Sequence, residues 1–290
     1  MVKLSTARDF RVYGPGGAGD KWEYINAGLF LFSGILLIGG FLAQFSSIAF
    51  HIKSGLALVL ISLLIISLVN VHDWIAHLAG IDWRLGLAEY DQQLALVEIV
   101  LPVVNVVGSV LFFVAVLFFE IEMDRGYRYK LEKHGLNLLI AGPVLLLVGS
   151  IGNICQVYDR SNWHVQILQK CVQVPLLMGS FLFVVGGIIN LIEIRRSTDL
   201  SFKMLDKSWA WFGLFGSVLL LIGGLMNLVK VFKVQQMDGS GLERLRGGAR
   251  ERLRREREGQ VPLLEDSDTE SRRKPVRKPY KDVLVESSQA

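Results

Sequence analysis

Apolar residues in this chain come in blocks of about 20, parted by short charged patches. Six blocks stand out, at 25–45, 54–71, 94–119, 135–155, 172–191 and 210–229. A helix needs about 20 such residues to cross about 30 Å of hydrocarbon. Unpaired backbone groups are not tolerated in lipid, and strand-like alternation is absent, so each block predicts a helix. The fold class expected is an all-α membrane protein, a six-transmembrane-helix bundle. The second block has only 18 residues and is expected to continue through His72 and Asp73 to Gly80. The third has 26, which requires tilt or a bend, and Pro102 supplies the bend.

The segments between and beyond the blocks are polar. Residues 1–24 carry Lys3, Arg8, Arg11 and Lys21 with no small-residue cleavage site, so the first block reads as a retained signal-anchor helix. Residues 72–93 (HDWIAHLAGIDWRLGLAEYDQQ) place Trp74, Trp83 and Tyr90 where headgroups favour aromatic rings, and read as an interfacial or re-entrant segment. Residues 233–290 form a charged tail, Arg/Glu-rich and then Ser/Asp/Pro-rich, expected to be mostly disordered. Within it, 241–257 has the spacing of a short surface helix. An even span count puts both termini on one side. Basic residues in both tails place them in the cytosol, although Arg125, Arg128, Lys130, Lys133, Arg195, Arg196, Lys203 and Lys207 then face away from it. The expected location is the endomembrane system or plasma membrane.

Net charge is +4, but 13 of the 31 Lys and Arg lie after Met237 and most others flank apolar blocks. That is the pattern of headgroup contacts, with the lipid bilayer as partner and no nucleic acid. Two cysteines, Cys155 and Cys171, are too few for a disulfide framework or a zinc site. They bracket one loop and stay reduced if that loop is cytosolic. His72, Asp73 and His77 lack an HExxH spacing and read as structural or interfacial. The run GPGGAG from Gly14 is a polar lead-in without a strand-turn-helix context. No cofactor, metal or catalytic residue is expected, and the chain is not expected to be an enzyme.

The strongest pattern is internal. The fourth block reads GPVLLLVGSIGN, the fifth GSFLFVVGGIIN and the sixth GSVLLLIGGLMN. The matching positions are Gly142, Gly149 and Asn153; Gly179, Gly186 and Asn190; Gly216, Gly223 and Asn227. Each copy begins 37 residues after the last, and weaker copies start at Gly108 and Phe32. Seven residues is close to two helical turns, so the glycines form a stripe along which backbones approach. Such stripes serve packing within the chain or a homo- or hetero-oligomer. The asparagines share the face and suit interhelical hydrogen bonds.

The run KWEYINAGLFLFSGILLIGGFLAQF resembles the start of the YrhK-like membrane domain, with a charged-aromatic entry, an Asn and a Gly/Leu-rich helix. Residues 129–193 resemble a second copy. The likeness covers about 20–232 and extends to plant multi-pass proteins labelled only as transmembrane. It implies a helical membrane fold, no known activity and no transferable functional residue. The loop RRSTDLSF resembles that of PQ-loop transporters without their Pro-Gln pair.

Glu98 is the main intramembrane polar candidate, because a carboxylate there is costly. Glu98, Pro102, Asn105 and Ser109 share a helical face, and Pro102 leaves the Glu98 carbonyl without its helical donor. Two readings follow. The first is a non-enzymatic membrane protein acting through helix packing, partners and a cytosolic tail. Within the tail Ser267 fits an acid-directed phosphosite, Leu263-Leu264 a sorting signal and Tyr280–Val283 another. The alternative is a small-solute or ion transporter using Glu98, Asn105, Asn153, Asn190 and Asn227. The topology has a direct check: a C-terminal epitope tag in sealed microsomes should be digested by added protease. A protected tag would place both termini in the lumen and favour a Cys155–Cys171 disulfide.

Overall fold

A computed structural model describes residues 18–46, 48–80, 95–126, 128–155, 163–196 and 207–235. The interfacial stretch 81–94, the tail with Ser267 and its sorting signals, and the 241–257 helix lie outside these residues. The described chain forms six long helices: α1 (Ala18–Ala43), α2 (Ala49–Gly80), α3 (Leu101–Arg125), α4 (Tyr129–Cys155), α5 (Trp163–Arg196) and α6 (Lys207–Gln235). All six are long and apolar enough to cross a membrane, so this is a multi-pass helical membrane protein. No strand occurs among the described residues.

Helices α2, α4, α5 and α6 outrun their apolar blocks, because charged and aromatic flanks at headgroup depth still close backbone hydrogen bonds. Residues 72–80, the start of the expected interfacial segment, instead extend α2 by about two and a half turns. Pro102 does not bend a continuous helix. A π-helical turn, Ala95–Val100, precedes α3, and Pro102 stands in the first turn of α3. Proline has no N–H for the Glu98 carbonyl, so an ordinary α-turn cannot close there and a wider one forms. At its other end α3 stops at Gly126 (φ +85), a conformation that favours glycine, with the Gly126 N–H 2.9 Å from the Glu122 carbonyl.

Consecutive helices pack as antiparallel neighbours, and α1 also packs on α6, which closes a ring in chain order. "Terminus side" below means the end holding the start of α1 and the end of α6. Three hairpins make the ring, and each closes on a glycine pair. A Cβ on Gly40 (α1) would stand 2.8 Å from the Gly55 carbonyl (α2), and one on Gly55 2.7 Å from that of Gly40. Gly108 and Gly142 are related in the same way across α3 and α4, at 3.0 and 2.9 Å. Gly179 and Gly216 repeat it across α5 and α6, at 3.0 and 3.2 Å. Lipid gives no hydrophobic drive for helices to associate, so close backbone approach and dispersion do that work.

The second and third hairpins match position by position. Phe112 packs on Gly142 as Phe183 packs on Gly216. Asn105 lies against Gly149 as Leu176 lies against Gly223. The sequence repeat is therefore realised as a duplicated hairpin, α3 matching α5 and α4 matching α6. The glycines predicted for packing face neighbours within the chain. Gly186 meets Phe212 and Trp209, and Gly223 meets Leu176.

The core lies on the ring axis. Phe41, Phe112, Phe183 and Trp209 come from α1, α3, α5 and α6, and all are fully buried. Ring centroids are 5.3 Å apart for Phe112–Phe183, 5.6 Å for Phe41–Trp209 and 6.1 Å for Phe112–Trp209. Helices that are not neighbours in the ring can touch this way only across its axis. Outward faces carry exposed apolar residues such as Ile35, Leu68, Val110, Ile151, Phe181 and Ile222, which suit lipid rather than water.

Gly142→Ala should lower the melting temperature in detergent, because the new Cβ would meet the Phe112 amide nitrogen at 2.6 Å. The overpacking cost is about 1–3 kcal/mol, partly offset by helix propensity of about 1 kcal/mol. Gly28→Ala, with no atom within 4 Å of the new Cβ, should leave stability unchanged or raise it.

Candidate functional site

The sequence-predicted polar residues do not gather in one place. Helix direction separates them. Asn153 near the end of α4 and Asn227 on α6 lie toward the terminus side and are half-buried. Asn190 lies toward the far side on α5 and is fully buried. An inverted neighbour carries the same motif to the opposite end of the bundle, so one continuous row of the three asparagines does not form. Ser109 is buried and donates to the Val106 carbonyl of its own helix at 2.9 Å, so its hydroxyl is spent locally. Pro102 is also buried. Glu98 belongs to the π-helical turn at the terminus side.

Asn105 is the predicted residue that the fold builds around. Its side chain occupies a notch that exists because residue 149 is glycine, since a Cβ there would overlap the Asn105 amide. Its backbone carbonyl accepts a hydrogen bond from the Asn70 side-chain amide of α2 at 3.4 Å. Asn70 was not singled out from sequence. It closes an apolar run, and its signal is the Gly55–Ser62–Asn70 spacing that places it on the packed face of α2. Asp73 and His77 follow Asn70 by three and seven residues, on the same face of α2. His77 is buried, and its Nε2 lies 3.8 Å from Asp73 Oδ2. Asn70, Asn105, Asp73 and His77 thus form a polar seam at α2 and α3, running from the terminus side into the bundle. The π-helical turn with Glu98 sits at the outer end of α3, packed on α2.

The far side holds a second polar group, one that the sequence analysis does not single out. Glu122 is fully buried in the last turn of α3. Its Oε1 accepts the Arg128 backbone N–H at 3.0 Å, and its Oε2 has no hydrogen-bond partner. The carboxyl therefore holds the α3–α4 turn while one oxygen stays uncompensated. Its signal in the sequence is the run FFEIEMDR, in which acidic residues enter before the apolar run has ended. Lys53 pairs with Asp124 across α2 and α3 on the exposed rim. Glu193 accepts from the Ser208 hydroxyl at 3.1 Å and links α5 to α6. On the terminus side Lys230 donates to Gln169 between the same two helices.

Among the described residues, no group of three or more His, Cys, Asp or Glu side chains is arranged to hold a metal ion. Cys171 is a free thiol, half-buried on α5. What the seam offers chemically is amide donors and acceptors, with a histidine–carboxylate pair beside them. Those groups can hydrogen-bond a small polar solute or exchange a proton.

Gly149→Ala should destabilise the bundle by expelling the Asn105 side chain, and Asn105→Ala in the same chain should recover much of the loss. Thermal melts of the two single variants and the pair check this as a double-mutant cycle. Asn70→Ala should cost about 0.6 kcal/mol, the average for an interhelical side-chain bond in a membrane.

Compared with protein-family models, curated proteins and solved structures, this chain matches none.

Proposed function

We propose that this multi-pass membrane protein is a non-enzymatic carrier of a small solute or ion, with the Asn70–Asn105 seam as its cargo site. One observation carries the reading. The two duplicated hairpins differ in what fills the notch at their second glycine: Leu176 lies against Gly223, whereas Asn105 lies against Gly149. An amide at a position the same fold fills with leucine is costly in lipid, and here it stands beside Asn70. Asp73 and His77 add ionisable groups along the same seam, and Glu98 stands at its outer end with a proton-linked role. The bundle would sit in the endomembrane system or plasma membrane with both termini cytosolic.

The partner-binding reading has less support. The glycine faces it would use are taken up by the chain's own helices, which leaves the lipid-facing surface and the terminal segments for a partner.

Proton and potassium flux in proteoliposomes separates the two. The wild-type protein should carry flux above protein-free vesicles. Asn105→Leu, which copies the residue of the third hairpin, should cut it about tenfold for a loss near 1.4 kcal/mol at an unchanged melting temperature. Glu98→Gln should remove its pH dependence. Wild-type flux equal to that of empty vesicles would overturn the carrier reading in favour of partner binding.

A further inference from the structure

We infer that the four-ring cluster of Phe41, Phe112, Phe183 and Trp209 is the closed gate of a path along the ring axis, opened when the hairpins part. The inference rests on the carrier reading for its cargo but not for its geometry.

The first support is position. Phe112 follows Asn105 by seven residues on α3, about 10 Å toward the far side. Phe183 precedes Asn190 by seven residues on α5, again about 10 Å short of it. Asn190 is fully buried on the far side of the rings. The aromatic layer therefore lies between a polar level of Asn70 and Asn105 and a buried asparagine level. An apolar constriction between two polar levels blocks water and ions by dewetting.

The second support is which contacts the rings make. Phe41 belongs to the first hairpin, Phe112 to the second, and Phe183 and Trp209 to the third. Phe41–Phe183 (6.0 Å), Phe41–Trp209 (5.6 Å), Phe112–Phe183 (5.3 Å) and Phe112–Trp209 (6.1 Å) all join different hairpins. Within each hairpin the glycine pairs bring backbone against backbone and resist bending. On the ring axis the arms meet through these side chains, while at the α1–α6 boundary a Cβ on Gly34 would stand 3.2 Å from the Leu221 Cα, so a parting that opens the axis runs between the second arm and the other two. The second and third arms are duplicates in register, so they supply equivalent rings, Phe112 and Phe183, to the meeting point. Between them the α4–α5 boundary has Gly187 against the Leu139 carbonyl, a contact without an interlocking glycine partner.

The test removes the gate without loosening the bundle elsewhere. The full chain is reconstituted in vesicles loaded with a pH-sensitive dye. A Phe112→Ala/Phe183→Ala double variant should leak protons at least about tenfold faster than wild type. Leu37→Ala/Leu139→Ala, an equally buried pair outside the rings, should stay at the wild-type rate. Equal leakage from both pairs would mean general loosening and would overturn the gate. So would a ring variant that elutes and melts as a folded protein yet does not leak. A second measurement serves if that variant does not fold. In a Cys155→Ser/Cys171→Ser background, Phe112→Cys/Phe183→Cys is cross-linked with a short reagent. Cross-linking should abolish wild-type-like flux, and reduction should restore it. Flux that survives full cross-linking would overturn the gate. A wild-type protein without flux would count against the carrier reading alone, because the leak comparison is still readable.

Discussion

Backbone-to-backbone contact at paired glycines is the constraint on which this bundle depends. In water a stripe of leucine would bring helices together, but in lipid leucine is as content beside an acyl chain as beside another helix. Association has to come from surfaces that match better than lipid does. Gly40 with Gly55, Gly108 with Gly142 and Gly179 with Gly216 provide three such surfaces, one per hairpin. The larger side chains then take their places around those crossings. Phe112 and Phe183 reach the ring axis because Gly142 and Gly216 let them pass close to the facing helix. Leu101 reaches over Gly152 and Phe119 over Gly135 by the same principle.

Polar groups are placed by what the crossings leave open. Most buried serines bond a carbonyl of their own helix, as Ser180 does with Leu176 and Ser217 with Gly213, and so behave as small packing residues. Ser62 is different, since it donates across to the Ser33 carbonyl at 2.7 Å and ties α2 to α1. Asn70 and Asn105 make the corresponding tie between α2 and α3. Ser62–Ser33 holds the ring near mid-depth and Asn70–Asn105 nearer the termini, while Lys53–Asp124 and Glu193–Ser208 hold its far rim.

Duplication explains both the regularity and its exceptions. Two hairpins in register set a template of glycine crossing, axial phenylalanine and filled notch. Departures from that template are then informative. Asn105 in place of leucine introduces polarity in the second turn of α3. Trp209, which is equivalent to Gly135 by its distance from the glycine crossing, swaps a small residue for the largest one and completes the axial cluster. Phe119 against Gly135 and Trp209 against Gly186 show that bulk and space were exchanged between partners rather than added.

Much of the fold was legible along the chain. Block length decided the number of helices, because the thickness of hydrocarbon and the rise of a helix are fixed quantities. The heptad spacing of Gly142, Gly149, Gly179, Gly186, Gly216 and Gly223 identified the packed faces, since a helix repeats its face every seven residues. The continuation of the second block past Asp73 was readable for the same reason of length. Tertiary structure decided the rest. Whether a glycine face meets the same chain or another depends on which helices become neighbours, and local spacing carries no record of that. Asn105, Asn153, Asn190 and Asn227 look alike in sequence, yet chain direction sends them to different depths. Asn70 and Glu122 acquired their roles from residues 35 and six positions away, Asn105 and Arg128. The meeting of Phe41, Phe112, Phe183 and Trp209 required ring closure by α1 against α6, a contact between the two ends of the bundle that periodicity within any one helix does not encode.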